Sequence, residues 1–463
     1  MPRLKLINPA NGRVIESVPA DTPASVAAKF ENARRAQVDW AARPLRARLV
    51  VLQRFRERIV AETEELARIL TTETGKPITQ ARNELQGLLP RLDFFLTETA
   101  ATLRSTTVLN DREEGLMERI TREPLGVVAN ISAWNYPYFV GSNVFVPALL
   151  AGNAVLYKPS EFATRTGLSI ARLWQESGAP DGIFTTLIGP GEVGDALLRQ
   201  SIDAVFFTGS VSTGRKIAQR VAGRLVKVQL ELGGKDPVYV CDDVDVPTAA
   251  AALADGAFYN AGQSCCAVER LYIHAALFDR FVAALVEAVA KFKVGDPSNE
   301  ETYIGPLTRR EHLAVLATQI ADARARGARV LIGGKRLRPP GLERGNYFSP
   351  TVLVDVNHSM QVMRDETFGP LIGVMSVRDD AEAIARINDT DYGLTAGVYT
   401  PDRNRAEAIL KRAAAGSVYW NCCDRVSPRL PWSGLKNSGL GLTLSREGIL
   451  AFTRPKAWHL RQR

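Results

Sequence analysis

Gly126-Val-Val-Ala-Asn-Ile131-Ser-Ala-Trp-Asn-Tyr-Pro137 is a short, largely apolar and β-branched run that stops abruptly at Trp134-Asn135-Tyr136-Pro137. That is the pattern of a buried strand ending in a turn. Outward from it, the same rhythm of short apolar runs separated by helical stretches returns at 154–157, 185–188, 204–207 and 226–230. Strands alternating with helices predict an α/β fold on a doubly wound parallel sheet.

In such sheets ligands collect at the carboxyl ends of the strands, so the residues just after each run are the candidates for chemistry. Gly209-Ser210-Val-Ser-Thr-Gly214 opens a helix whose free N–H groups and dipole can receive a pyrophosphate. It lacks the full G-x-G-x-x-G fingerprint, and an ordinary strand-to-helix turn has the same composition. Lys158 and Glu161 suit the two hydroxyls of an adenosine ribose; the competing reading is a plain helix N-terminus capped by Ser160. Asn135 offers a side-chain amide after a strand end, suited to an oxyanion, or is a turn residue. Glu231 closes an apolar run and enters Gly233-Gly234, a costly place to bury a carboxylate. Burial would raise its pKa and make it a general base, against an incidental ion pair with Lys235.

A second stretch carries the nucleophile. Asn260-Ala-Gly-Gln-Ser-Cys265-Cys266 follows an apolar helical run at 249–258, and Gly262 is expected to let the backbone approach a substrate. A thiolate attacks carbonyl carbon far better than a hydroxyl, so Cys265 reads as a covalent nucleophile. Paired cysteines also serve as small apolar filler, and only the company of Asn135 and Glu231 decides between the readings.

Composition narrows the class. The chain has 463 residues, 46% of them hydrophobic, enough for two or three domains. Its charge of +8, from 58 Lys+Arg against 50 Asp+Glu, contains no long basic block and requires no nucleic acid. The five cysteines form neither CxxC spacing nor a zinc set with histidine, so neither a metal nor a disulfide framework is expected. Met1 to Asn11 lacks an apolar leader core and no run has membrane-spanning length, which points to the cytoplasm. From Thr22 to about Leu103 the spacing of Leu49, Val50, Leu52, Phe55, Ile59 and Val60 predicts helices. Residues 113–123 read as an extended ribbon of the kind that pairs between subunits.

Together these motifs resemble the aldehyde dehydrogenase superfamily, from about Asn8 through Gly441. Trp134-Asn135-Tyr136-Pro137 is similar to its oxyanion motif, with Ala133 where proline is more usual. Glu231-Leu-Gly-Gly-Lys235 resembles its general-base motif, Gly262-Gln-Ser-Cys265 its nucleophile motif, and Glu366-Thr-Phe368-Gly-Pro370 the segment that holds the nicotinamide ribose and ring. The runs 388–400 and 431–439 match in order and spacing. The resemblance implies a Rossmann-like dinucleotide domain (1–104 and 124–232), a catalytic domain (233–430) and a small β oligomerisation element (105–123 and 431–463). It implies a homodimer or homotetramer acting on a small-molecule aldehyde with NAD, or with NADP as the alternative. Cofactor contacts would come from Trp134, Lys158, Glu161, Gly209, Ser210, Gly214, Leu232, Glu366 and Phe368. The aldehyde would lie among Phe139, Val140, Asn143, Ser264, Cys266, Asp424, Arg425, Val426 and Trp432; Arg425 is a candidate to pair with a substrate carboxylate, against the commoner reading of a single arginine as a solvated loop charge. Cys265 would form a thiohemiacetal and then a thioester, its oxyanion held by Asn135 and the Cys265 N–H, and Glu231 would activate the hydrolytic water. A thiol hydrolase would need a histidine beside Cys265, and His274, His312, His358 and His459 all lie outside these motifs. Acyl transfer to coenzyme A is disfavoured by the presence of Glu231, and a non-catalytic role by the presence of both Cys265 and Glu231.

Overall fold

The computed structural model describes residues 2–462, so residues 1 and 463 of the expected terminal domains lie outside the described residues. Four helices, Pro23–Ala42, Leu45–Ala61, Thr63–Thr74 and Ile78–Thr102, open the main body. The first starts at a capping box, in which the Thr22 hydroxyl accepts from Ser25 N and the Ser25 hydroxyl accepts from Thr22 N. Their apolar faces, including Val26, Phe55, Leu66 and Leu85, are fully buried against the first sheet.

That sheet has six strands in the order Gly439–Leu440, Lys227–Glu231, Ala204–Thr208, Val127–Ile131, Ala154–Lys158, Phe184–Thr186. All neighbours are parallel except Gly439–Leu440, which runs against Lys227–Glu231. The chain leaves Val127–Ile131 in one direction for the next two strands and returns to its other side for the following two, so the strand order reverses there and opens a crevice at the carboxyl edge. The strand expected at 185–188 lies slightly earlier, at Phe184–Thr186.

A second, seven-stranded sheet follows, in the order Arg329–Ile332, Thr351–Val354, Leu371–Val377, Val268–His274, Asp236–Val240, Thr395–Tyr399, Ser417–Trp420. It has its own core, built on Leu253, Leu271, Phe281 and Val374. Four residues, 232–235, join the last parallel strand of the first sheet to the first strand of the second. The carboxyl edge of one sheet therefore meets the amino edge of the other, where Cys265 precedes Val268–His274. Among the described residues no helix is long and apolar enough to cross a membrane.

The ribbon expected at 113–123 is the strand Leu116–Pro124, sandwiched antiparallel between Thr106–Asp111 and Thr453–Arg461. One expectation needs correction here. Residues 431–463 do not belong wholly to this element: Gly439–Leu440 joins the first sheet, and Leu444, Ile449 and Phe452 enter the first core. The physical tie is Asn153, whose Nδ2 donates to Phe452 O at 3.0 Å and to Ala148 O at 2.9 Å while its Oδ1 accepts from Gly126 N at 2.9 Å.

Asn153 is fully buried, so Asn153→Ala leaves a main-chain N–H and carbonyl without partners at about 1–3 kcal/mol each. The expected outcome is a lower midpoint of thermal unfolding. A midpoint equal to wild type would show that strand pairing and apolar packing hold the C-terminal segment without Asn153.

Candidate active site

Two cavities meet at the junction of the sheets. The first, about 740 Å³, is walled by Glu231, Cys265, Cys266, Ser264, Tyr136, Phe139, Val140, Asn143, Asp424, Arg425, Val426 and Trp432, among others. The second, about 600 Å³, is walled by Trp134, Lys158, Glu161, Gly209, Ser210, Thr208 and Arg309, among others. Two bridges join them. Trp134 faces the second and Tyr136 the first, with buried Asn135 between; Thr208 and Glu231 are direct cross-strand partners.

The nucleophile loop is built by strained turns. Asn260 and Ala261 carry φ of 53° and 55°, beyond the helix Val246–Phe258. Asn260 Nδ2 donates to Asn135 O (3.3 Å) and Gln263 O (3.1 Å), and Gln263 Oε1 accepts from Thr308 N (3.0 Å). Asn135 Nδ2 donates to Gln263 O at 3.2 Å, which uses one of its two N–H groups and orients the amide beside the thiol loop. Gly262, expected to let the backbone approach a substrate, is in close contact with protein: a Cβ there would stand 2.3 Å from Gly369 O, so the glycine lets the Cys265 loop close on the segment 366–370.

Burial pushes both chemical groups toward their protonated forms. For Cys265, the hydrogen bond from Cys266 pulls the thiol pKa down, but burial and the charges of Glu231 and Asp424 outweigh it and push it up to about 12. Glu231 is 5% exposed, and its Oε1 has no hydrogen-bond partner among the described residues. Burial raises its pKa, opposed by Trp432, Thr208 and the Cys265 thiol itself. The competing ion pair with Lys235 is absent, because Lys235 Nζ contacts Glu269 Oε2 at 2.7 Å instead. Cys266 donates to Asp424 Oδ1 at 2.9 Å and is turned away from a role as second nucleophile.

In the second cavity Lys158 Nζ lies 3.7 Å from Glu161 Oε2, and Ser210 caps the helix Val211–Val221, accepting from Thr213 N. Ser160 caps the turn Glu161–Ala163, accepting from Phe162 N. Phe368 reaches this region through an edge contact with Trp134, ring centroids 5.5 Å apart. Glu366 Oε1 accepts from Gly234 N at 3.2 Å, and burial, then the charge of Glu269, pushes its pKa up to about 8. Gly214 and Leu232, expected at the cofactor, pack on each other: a Cβ on Gly214 would stand 2.5 Å from Leu232 Cδ2.

The structure adds residues that the motifs did not name. Arg91 and Glu84 line the first cavity from the helix Ile78–Thr102, and Lys216, Arg220 and Arg309 line the second. Glu84 and Arg91 are seven apart, two helical turns, on the face that buries Leu88, Leu92 and Phe95. Charged residues at core spacing were the available signal. Among the described residues none of the four histidines lines the first cavity; His312 lies edge-on to Phe368, its pKa pushed down to about 4 by burial and by Arg309.

Comparison with known proteins agrees with this geometry. The model of the aldehyde dehydrogenase family matches residues 2–458. A 3,6-anhydro-alpha-L-galactose dehydrogenase of Streptomyces coelicolor is 36% identical over 460 residues, covering 99% of this chain and 93% of that protein. The crystal structure of an E. coli NADP-dependent enzyme superposes with a TM-score of 0.95 at 33% identity, covering 100% of this chain and 95% of that one. Betaine aldehyde dehydrogenase from Staphylococcus aureus in complex with NAD+ gives 0.95 at 30% identity, with 99% and 92% covered. Matched along nearly its whole length, with a cysteine, a buried glutamate and an asparagine amide gathered where two α/β sheets meet, the chain belongs to the aldehyde dehydrogenase family.

Proposed function

We propose that the protein oxidises an aldehyde to the carboxylic acid with NAD(P) through a Cys265 thioester. The single observation that carries this reading is the sharing of one cavity by Cys265 and a desolvated Glu231 whose free oxygen has no other partner. Cys265 adds to the carbonyl carbon as its thiolate, the thiol proton having left to solvent, and the oxyanion is met by the second N–H of Asn135 and the Cys265 main-chain N–H. NAD(P), when bound, supplies the hydride acceptor. The second cavity suits that group. Lys158 and Glu161 offer a donor and an acceptor for vicinal ribose hydroxyls, the Ser210 helix start suits a pyrophosphate, and Trp134 with Phe368 forms the wall toward Cys265. Glu231, as its carboxylate, then takes a proton from the water that attacks the thioester carbonyl, and the Cys265 thiolate leaves as the carboxylic acid is released.

The aldehyde cavity has mixed walls, Phe139 and Trp432 against Asn143, Ser264 and Arg425, which favours a short, oxygenated aldehyde over a long alkyl chain. A homo-oligomer is supported by the ribbon, which exposes Val108, Leu109, Met117 and Leu460. The five free thiols suit a reducing cytoplasm.

Glu231→Gln separates the two half-reactions. Rapid mixing with NAD and aldehyde should give an NADH burst near one per site, then a slow steady state, with the acyl group found on Cys265 by intact mass. Absence of both burst and adduct in a variant that still binds NAD moves Glu231 from deacylation to thiol activation or site shape.

Glu161 should accept from both ribose hydroxyls and repel a 2′-phosphate, so NAD should exceed NADP in kcat/KM and Glu161→Gln should narrow the gap. Equal or better kcat/KM with NADP would show that Lys216, Arg220 and Arg309 outweigh the carboxylate.

The raised thiol pKa predicts slow alkylation of Cys265 by iodoacetamide at pH 7 in the cofactor-free protein, rising about tenfold per pH unit through pH 10, because only the thiolate reacts. A plateau near pH 8.5, read on the Cys265 peptide, would contradict it.

A further inference from the structure

Arg91 is 4% exposed and lines the aldehyde cavity, yet among the described residues no carboxylate oxygen lies within the 4.0 Å of an ion pair. Its Nη1 donates to Asn143 Oδ1 at 2.6 Å, and Nη2 reaches Val426 O at 3.4 Å. The guanidinium lies over the Phe139 ring, 4.3 Å from its centroid. Other buried cations are treated differently. Lys76 is paired with Glu84, and Lys235 with Glu269. Arg48 is surrounded by the carbonyls of Leu150, Trp40, Ala41 and Arg43, and Arg270 by those of Lys235, Arg386 and Ile387 with the Tyr272 hydroxyl. Of the five N–H groups of a guanidinium, Arg91 uses one well and one weakly. A desolvated charge left open toward a cavity is costly unless an anion completes it.

We propose that Arg91, braced by Asn143 and Phe139, forms an anion subsite in the aldehyde cavity, and that the physiological substrates are small aldehydes carrying a carboxylate at the end away from the carbonyl. This rests on the aldehyde-oxidising reading above. A planar carboxylate matches the guanidinium fork and neutralises it, whereas a sugar hydroxyl would bond to it and leave the charge uncompensated. A dianionic phosphate is disfavoured because Asp255, Asp424 and Glu231 line the same cavity. Arg425, the cation that the motif pattern singled out for this role, is exposed, so its charge is solvated without a ligand.

Arg91→Met tests this, since an apolar side chain of similar length removes the charge without opening a large void. Binding of butyrate and of its uncharged isostere butyramide, followed by quenching of tryptophan fluorescence, should favour butyrate at least tenfold in wild type and lose that preference in Arg91→Met. In steady state, the ratio of kcat/KM for succinic semialdehyde to that for butanal should fall about 10- to 100-fold, mainly through KM, as expected on losing one charge-assisted bidentate contact. Arg425→Ala should move the ratio less than about threefold, as expected of a solvated charge. The melting temperature of Arg91→Met should be no lower than wild type, because the unpaired charge itself is destabilising. An anion preference that survives Arg91→Met, or that follows Arg425→Ala instead, overturns the proposal. So does a drop in melting temperature with equal loss on both aldehydes, which would make Arg91 structural. If no aldehyde yields NADH, the aldehyde-oxidising reading fails, and the butyrate comparison still decides whether Arg91 is an anion site.

Discussion

One buried carboxylate holds the three pieces of the active site in register. Glu269, four residues past Cys265, pairs with Lys235, four residues past Glu231. The same carboxylate accepts from Thr367 N and Phe368 N, at the loop that faces the second cavity. Lys235 completes the knot by donating to the Thr367 hydroxyl at 2.8 Å. Each group is desolvated, so each bond is enforced by the cost of leaving it open, which exceeds the modest net gain of making it. Glu231, Cys265 and the segment 366–370 lie apart in the chain, and this knot holds their separate motifs in one geometry.

The same desolvation that fixes the frame sets the chemistry. Cys265 and Glu231 are both pushed toward their protonated forms by burial, and each is further raised or restrained by the other. A thiol in that state is protected from adventitious reaction, and a glutamate in that state has a pKa closer to that of a useful base than a solvated carboxylate has. Asp424 accepts a hydrogen bond from the Cys266 thiol, whereas Glu231 Oε1 is left without a partner among the described residues, so the two adjacent cysteines stand in different surroundings.

Much of this was readable from the chain. The short apolar runs predicted the parallel strands, with end points shifted by a residue or two, because full burial on both faces of a parallel sheet leaves a continuous hydrophobic signature. Cys265, Glu231 and Asn135 were named because each stands where a strand or helix ends, and the structure brings them to one junction. The glycines were harder. Gly214 and Gly262 looked like places for a ligand to approach, whereas Leu232 and the Gly369 carbonyl occupy the space that their missing side chains leave. A glycine in sequence announces that something comes close; only the fold says what.

Local pattern thus determined the α/β class and the strand ends, and it singled out Cys265, Glu231 and Asn135 as candidates, because those features are written in consecutive residues with a period of about two or four. The tertiary structure alone decided that the C-terminal segment closes the first sheet, that Lys235 serves Glu269 rather than Glu231, and that Arg91 rather than Arg425 is the desolvated cation of the cavity beside Cys265. The physical reason is that charge matters in proportion to how far water is excluded from it. Exclusion of water from Arg91 depends on Asn143, Phe139 and Val426, residues about 50 to 335 positions away along the chain, which no local pattern reports.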